Sequence, residues 1–355
     1  RQPANNGGKM ILNIAIENFG PIKERQVLSF EADKSTHLED AYVAEINGQR
    51  ILKMALIYGA NASGKTTVLK AIEFLRRLVL LPESKKTNTL NYEPFLFDPY
   101  TPTQTSSIGI EFYQNGIKYL HEVEFTKEAR VSEELFYHNP NKASVFKRET
   151  NLETQFAEIK FGSKFNIDST TKKTLAANTL WNNTVLGGYL KTNIELKELQ
   201  EVTDWFNITL APTVFSQTNL EKVITQGIDK GKISKENVLS ILKKADFNIS
   251  DIIIERKKEP ISEDFLSLIK RDTTFISSEQ DKKEILQEKA RSAVNLELEH
   301  EVNDIKYSLP FEEESQGTKR YYGFAGLLAL LLSRSSVMPI DELESSLHPD
   351  LYLHF

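Results

Sequence analysis

The stretch GANASGKT, residues 59–66, decides how this chain is read. Glycine, four residues, then Gly-Lys-Thr is the P-loop spacing, and each position has a physical reason. Backbone N–H groups from Gly59, Ala60, Asn61, Ala62, Ser63 and Gly64 wrap phosphate oxygens, and Gly64 lets the main chain come close. Lys65 neutralises charge between the terminal phosphates, the Thr66 hydroxyl holds Mg2+, and Thr67 completes the nucleotide-binding set. Ala62 stands where many P-loops have glycine, but alanine still supplies the N–H that the cradle uses. The context agrees. KMALIYG, residues 53–59, is an apolar run ending in glycine and predicts a strand buried on both faces. In KTTVLKAIEFLRRLVLL, residues 65–81, Val68, Ile72, Leu75 and Val79 follow helical spacing. The unit reads as strand, glycine-rich loop, helix.

Phosphate-bound Mg2+ needs a carboxylate beside it, and an attacking water must be oriented or deprotonated. VMPIDELESSLHP, residues 337–349, supplies both acids. Val337–Ile340 reads as a strand, Asp341 stands at its C-terminal end for metal contact, and Glu342 is the adjacent acid suited to activating water. A bare Asp-Glu after apolar residues is common; the P-loop is what gives this one meaning. Pro339 cannot donate to a sheet ladder, so either its nitrogen faces away from a neighbour or the strand is irregular there. A third motif, ESQGTKR, residues 314–320, precedes the apolar run YYGFAGLLALLL. Ser315 suffices as an N-cap. Gly317, Lys319 and Arg320 exceed what a cap requires, and a helix start with a hydroxyl and a glycine is also an anion site. Since the local P-loop surrounds its own nucleotide, this second site makes most sense on another subunit's ATP.

The 355 residues allow two or three domains, or one with a large insertion. With 44 Lys+Arg against 50 Asp+Glu, the formal charge of -6 gives the molecule no overall attraction for nucleic acid. Any DNA contact would have to be local, in pieces such as ILKKADF, ERKKEP or TTKKTL, each of which also reads as a solvated face. The absence of cysteine removes disulfides, thiolate metal sites and cysteine nucleophiles, and fits a cytoplasmic home. FAGLLALLL is far shorter than the roughly 20 residues that span a bilayer. Residues 1–9 read as a flexible leader. Beyond it, ILNIAIENFG and PIKERQVLSFEA predict a hairpin. Residues 105–150 predict an antiparallel meander turning at Asn115-Gly116 and NPNK. Residues 170–245 are mostly helical in pattern, SEQDKKEILQEKARSA reads as a short charged helix, and a last hairpin turns at Asn303-Asp304. No heptad runs long enough for a long coiled coil.

In that order, GANASGKT, ESQGTKR and IDELESSLHP resemble the ABC-type ATPases of the SMC, RecF and OLD group. In detail the chain is similar to the bacterial AAA-family ATPases of the AbiLii, RloA and PtuA kind found in anti-phage defence, and the likeness runs from Met10 through the opening IENFG nearly to the end. The resemblance implies an α/β P-loop NTPase head: a mixed sheet, an antiparallel β-subdomain, a helical insertion and no long coiled coil. It implies a lobe at residues 10–150, a mainly helical insertion at 151–293, and a C-terminal lobe at 294–355 that stops before the family's switch histidine. His348 would be structural, and Gln217 is left without a role. SQGT becomes the signature motif, with Ser315, Gly317 and Thr318 touching a partner's ATP in a head-to-tail dimer, and ESSLHP becomes the D-loop. Function follows as an expectation: a Mg2+-dependent ATPase, with Glu342 and Lys65 catalytic and Thr66 and Asp341 at the metal. It would dimerise around ATP and gate a separate effector, a nuclease or toxin. The alternatives are a RecF-like ATPase acting on DNA ends and a nucleotide-dependent scaffold with negligible turnover.

Overall fold

Alternating apolar residues in MILNIAIE form β1 (Met10–Glu17), whose Ile11, Leu12, Ile14 and Ile16 are buried. A computed structural model describes residues 8–60, 63–165, 167–244, 248–260 and 290–342. The chain divides into two units: Arg1–Phe215 with Ser335–Asp341, and Ser216–Arg334 with Glu342–Phe355.

In the first unit, β1 turns through Gly20 and pairs antiparallel with β2 (Gln26–Ser29), as the sequence predicts. A short helix α1 (Glu39–Tyr42) leads into a small hairpin of β3 (Val43–Ile46) and β4 (Gln49–Leu52). Helix α2 (Lys65–Leu80) follows the P-loop and buries Ala71, Ile72, Leu75, Leu78 and Val79. The meander then runs through β5 (Ser106–Gln114), β6 (Ile117–Phe125), β7 (Arg130–His138), β8 (Lys142–Asn151) and β9 (Phe156–Phe161). These strands join the first hairpin in one seven-stranded antiparallel sheet, ordered β2-β1-β5-β6-β7-β8-β9. Asn115 and Gly116, with φ of 52° and 78°, make the two-residue turn between β5 and β6 that left-handed residues favour. Helices α3 (Ser169–Asn178), α4 (Val185–Tyr189) and α5 (Lys197–Asp204) follow, and a π-helical turn places Trp205 flat on Phe112 with ring centroids 4.0 Å apart. Phe74 of α2 meets Phe125 of β6 at 5.1 Å, so the P-loop helix is anchored directly on the sheet.

Two expectations change here. Residues 53–59 do not form a strand, and Met54, Leu56 and Tyr58 are exposed at 51%, 53% and 79%. An apolar run states a demand for burial, while a strand also needs a neighbour, and among the described residues this run has no strand partner, only the bond from Lys53 N–H to Tyr42 O at 2.8 Å. The mixed character of the fold lies elsewhere, where Val337 and Ile340 pair in parallel with Leu210 and Val214. The difficulty at Pro339 is resolved by irregularity. Five residues from Leu210 to Val214 span what four span from Val337 to Ile340, and Pro339 contributes only its carbonyl, to Val214 N–H at 2.9 Å. The displaced Thr213 N–H is taken instead by the Glu73 carboxylate of α2 at 2.9 Å.

The second unit holds α6 (Leu220–Asp229), capped by the Asn219 side chain, and α7 (Lys235–Lys244). An antiparallel sheet of β10 (Ile249–Pro260), β11 (Ala290–Val302) and β12 (Ile305–Pro310) follows. Asn303 and Asp304, both left-handed, turn β11 into β12 as predicted. Of the charged helix expected at 278–293, residues 278–289 lie outside the described residues, while Ala290 onward is strand, paired with β10. Helix α8 (Gln316–Ser333) carries the long apolar run against α6: a Cβ at Gly323 would lie 2.7 Å from Leu220, and one at Gly326 2.3 Å from Ile224. Among the described residues no helix is long and apolar enough to cross a membrane.

Candidate functional site

The P-loop reaches α2 through Gly64, whose φ of 94° lies in the left-handed region that glycine tolerates. No side chain caps α2 and its first turn holds no acid, so the positive end of the helix is left for an anion. At Gly59 a Cβ would lie 2.7 Å from Ser63 Oγ, so a larger residue there would have to turn the serine hydroxyl aside. The Lys65 ammonium donates to the carbonyls of Gly59 (2.6 Å) and Ala60 (2.9 Å), which holds it over the loop with one of its three donors still available. Asn61 and Ala62 lie outside the described residues. Thr67 N–H donates to Gly64 O at 3.0 Å, and its methyl would sit 3.2 Å from a Cβ on Gly20. Thr67 therefore joins the IENFG turn to the loop and does local structural work.

The contact that unites the motifs is between Thr66 and Asp341. The Thr66 hydroxyl donates to Asp341 Oδ1 at 3.2 Å, across 275 residues of sequence. Asp341 is delivered by the parallel ladder, its N–H donating to Val214 O at 2.8 Å. Arg76 of α2 donates to Leu210 O at 3.1 Å, at the other end of the same segment. Glu73 and Arg76 thus tie the P-loop helix to the segment that positions the carboxylate; the sequence reading assigned neither of them a role. The set suits Mg2+, which binds through one or two protein oxygens together with phosphate and water. No group of three or more His, Asp or Glu able to hold a metal alone occurs among the described residues. Glu342 follows with a φ of 51°, a sparsely populated region for a non-glycine residue, and is exposed. Residues 343–355, with the expected D-loop and His348, lie outside the described residues.

In the second unit Ser315 caps α8 as expected, its hydroxyl accepting from Thr318 N–H at 3.1 Å. Ser315, Gln316 and Gly317 are exposed. Thr318 is buried and its hydroxyl pairs with Ser315 Oγ at 2.8 Å, so it holds the serine from behind. Lys319 is occupied locally, donating to Glu312 O at 2.7 Å. Gly317 stands apart from the other glycines of α8. Among the described residues a Cβ there would meet only Ser315 Oγ, at 3.7 Å, so their packing does not require a glycine. One more anchor went unread in the sequence: Glu314, buried, pairs with His300 of β11 at 2.6 Å and pins the approach to α8.

Residues 54–352 match the family described as "AAA domain, putative AbiEii toxin, Type IV TA system". No curated protein matches. Among solved structures, the chain is similar to an SMC head bound to the C-terminal winged-helix domain of ScpA, at 13% identity and TM-score 0.46, over 97% of this chain and 83% of that one. It is also similar to an SMC head with an extended coiled coil bound to the C-terminal domain of ScpA from Pyrococcus furiosus, at 14% identity and TM-score 0.41, over 98% and 85%. A third similar structure is the recombination mediator RecF with ATP, at 14% identity and TM-score 0.37, over 100% and 91%.

Proposed function

The chain belongs to the AAA-domain family matched over residues 54–352, and from that membership and the site geometry we propose that it is a Mg2+-dependent, ATP-hydrolysing switch. The observation that carries the reading is the Thr66–Asp341 hydrogen bond, which brings the P-loop hydroxyl and the second motif's carboxylate to one point. Gly59 to Thr66 would hold the phosphates, with Thr67 bracing the loop from behind, Lys65 would offset their charge, and Thr66 and Asp341 would hold Mg2+. The metal supplies charge neutralisation on the phosphate oxygens as the terminal phosphate departs. Glu342 orients and deprotonates the attacking water.

Ser315 and Gly317 face the terminal phosphate of a second copy's ATP, with Thr318 fixing the serine. Support comes from Gly317, a glycine exposed at a helix start that its own fold leaves room to replace. ATP thereby closes a homodimer and hydrolysis opens it. That cycle gates a separate effector protein, a nuclease or toxin, in cytoplasmic anti-phage defence; the support for this role is the resemblance of the three motifs and their order.

Titration of ATPase activity against Mg2+ tests the site. Asp341→Asn should raise the Mg2+ requirement at least about tenfold while metal-free nucleotide binding persists. Lys65→Ala should lose nucleotide binding itself. Parent-like hydrolysis and binding in both variants would remove the assignment.

A further inference from the structure

The interior of the first unit contains a charged cluster that the nucleotide machinery does not use. Arg130, Glu133, Arg148 and His121 are all at most 1% exposed. Sheet register explains how they meet. Glu133 of β7 lies directly opposite Arg148 of β8. The β6–β7 ladder shifts so that Phe125 pairs with Arg130 while Glu124 pairs with Ser132, and this bulge turns Arg130 onto the same buried face. One carbonyl joins the two arginines: Trp181 O accepts from Arg130 N–H at 3.0 Å and from Arg148 Nη2 at 2.9 Å.

The only carboxylate within the cluster is already engaged. Glu133 Oε1 pairs with His121 Nε2 at 2.9 Å, and Oε2 accepts from Val185 N–H at 2.6 Å. Glu83, half-buried at the margin, accepts from Asn88 at 2.8 Å. Nε and Nη1 of both Arg130 and Arg148 are fully buried and find no acceptor among the described residues. Buried cations are normally paired, because leaving them bare forfeits their hydration with nothing in return. Burial accordingly pulls both guanidiniums down from their ordinary range, Arg130 to about 9 and Arg148 to about 10, and Arg148 adds to the effect on Arg130.

We propose that Arg130 and Arg148 form a buried binding site for one small monovalent inorganic anion of the chloride type, held by the guanidinium nitrogens that lack an acceptor. Charge selects the class. Two guanidiniums against the single carboxylate of Glu133 leave one positive charge between them, which one monovalent anion balances and a phosphate dianion would overshoot. Full burial selects for small size. The bound anion would lock β7, β8 and the Trp181 loop together beneath the P-loop helix.

Urea unfolding of the full chain at constant ionic strength, with sodium chloride exchanged for sodium gluconate, provides the test. In the saturating range each tenfold rise in chloride should lower the unfolding constant up to about tenfold. The exposed control Arg25→Met should keep this response and Arg148→Met should lose it. Should Arg148→Met not fold, crystals of the parent chain soaked in sodium bromide decide the matter, with an anomalous peak expected between the two guanidiniums. An equal chloride response in Arg148→Met and parent, no response in the parent, or water alone between the arginines would each overturn the proposal.

Discussion

At Gly317 a single hydrogen atom separates two explanations of the signature motif. If the glycine served only helix α8, alanine would be the better residue, since it is favoured within helices and would meet nothing closer than 3.7 Å. Gly317→Ala should therefore leave the fold intact and stabilise it by up to about 0.5 kcal/mol, read as a higher melting temperature. On the proposed cycle ATP turnover should nevertheless fall at least about tenfold, because the methyl group would stand where a partner's phosphate approaches. A variant both more stable and fully active would show that the signature glycine touches no nucleotide. Ser315 cannot be tested so cleanly, because its hydroxyl also accepts the Thr318 N–H and its loss would cost about 1 kcal/mol of capping.

At the scale of elements, the packing of α8 on α6 depends on two missing side chains. Gly326 brings Ile224 so close that a Cβ would lie 2.3 Å from it, an overlap that must move a helix or force a rotamer. Gly326→Ala should destabilise the chain by about 1–3 kcal/mol, and Ile224→Ala in the same molecule should recover part of that loss. Additive unfolding free energies in this cycle would show that the two residues do not meet. Such contacts mark the limit of what the sequence discloses. Asn115-Gly116 and Asn303-Asp304 were legible because their left-handed turns are local chemistry, and helix α2 because its periodicity is. The exposed course of residues 54–58 was not, because an apolar run does not say who its neighbours are. β10 was hidden for a related reason: its partner β11 lies about thirty residues away along the chain, and pairing at that distance leaves no local mark. The meeting of Thr66 with Asp341 was legible only as chemistry: a hydroxyl and a carboxylate that Mg2+ would need together. His300 and Glu314 carried no such signal, and only the fold brings them to 2.6 Å.

For the whole molecule, the motifs divide between units: Lys65, Thr66 and Asp341 belong to the first, Ser315 and Gly317 to the second. On the proposed cycle the two sets complete each other only between copies, so nucleotide binding and dimerisation separate by mutation. On the proposed cycle Glu342→Gln would remove the base that ends the ATP-bound state. It should run as a monomer without nucleotide and as a dimer with ATP and Mg2+ in light scattering, while turnover falls by about a hundredfold or more. Adding Ser315→Arg to that background places a long cation at the exposed start of α8, which belongs to the second unit whereas Thr66 and Asp341 belong to the first. The double variant should still bind one ATP per chain but remain a monomer. A dimer that survives this substitution would mean the signature helix is not the surface that closes, whereas loss of ATP binding along with the dimer would mean that Ser315 acts on its own chain's nucleotide.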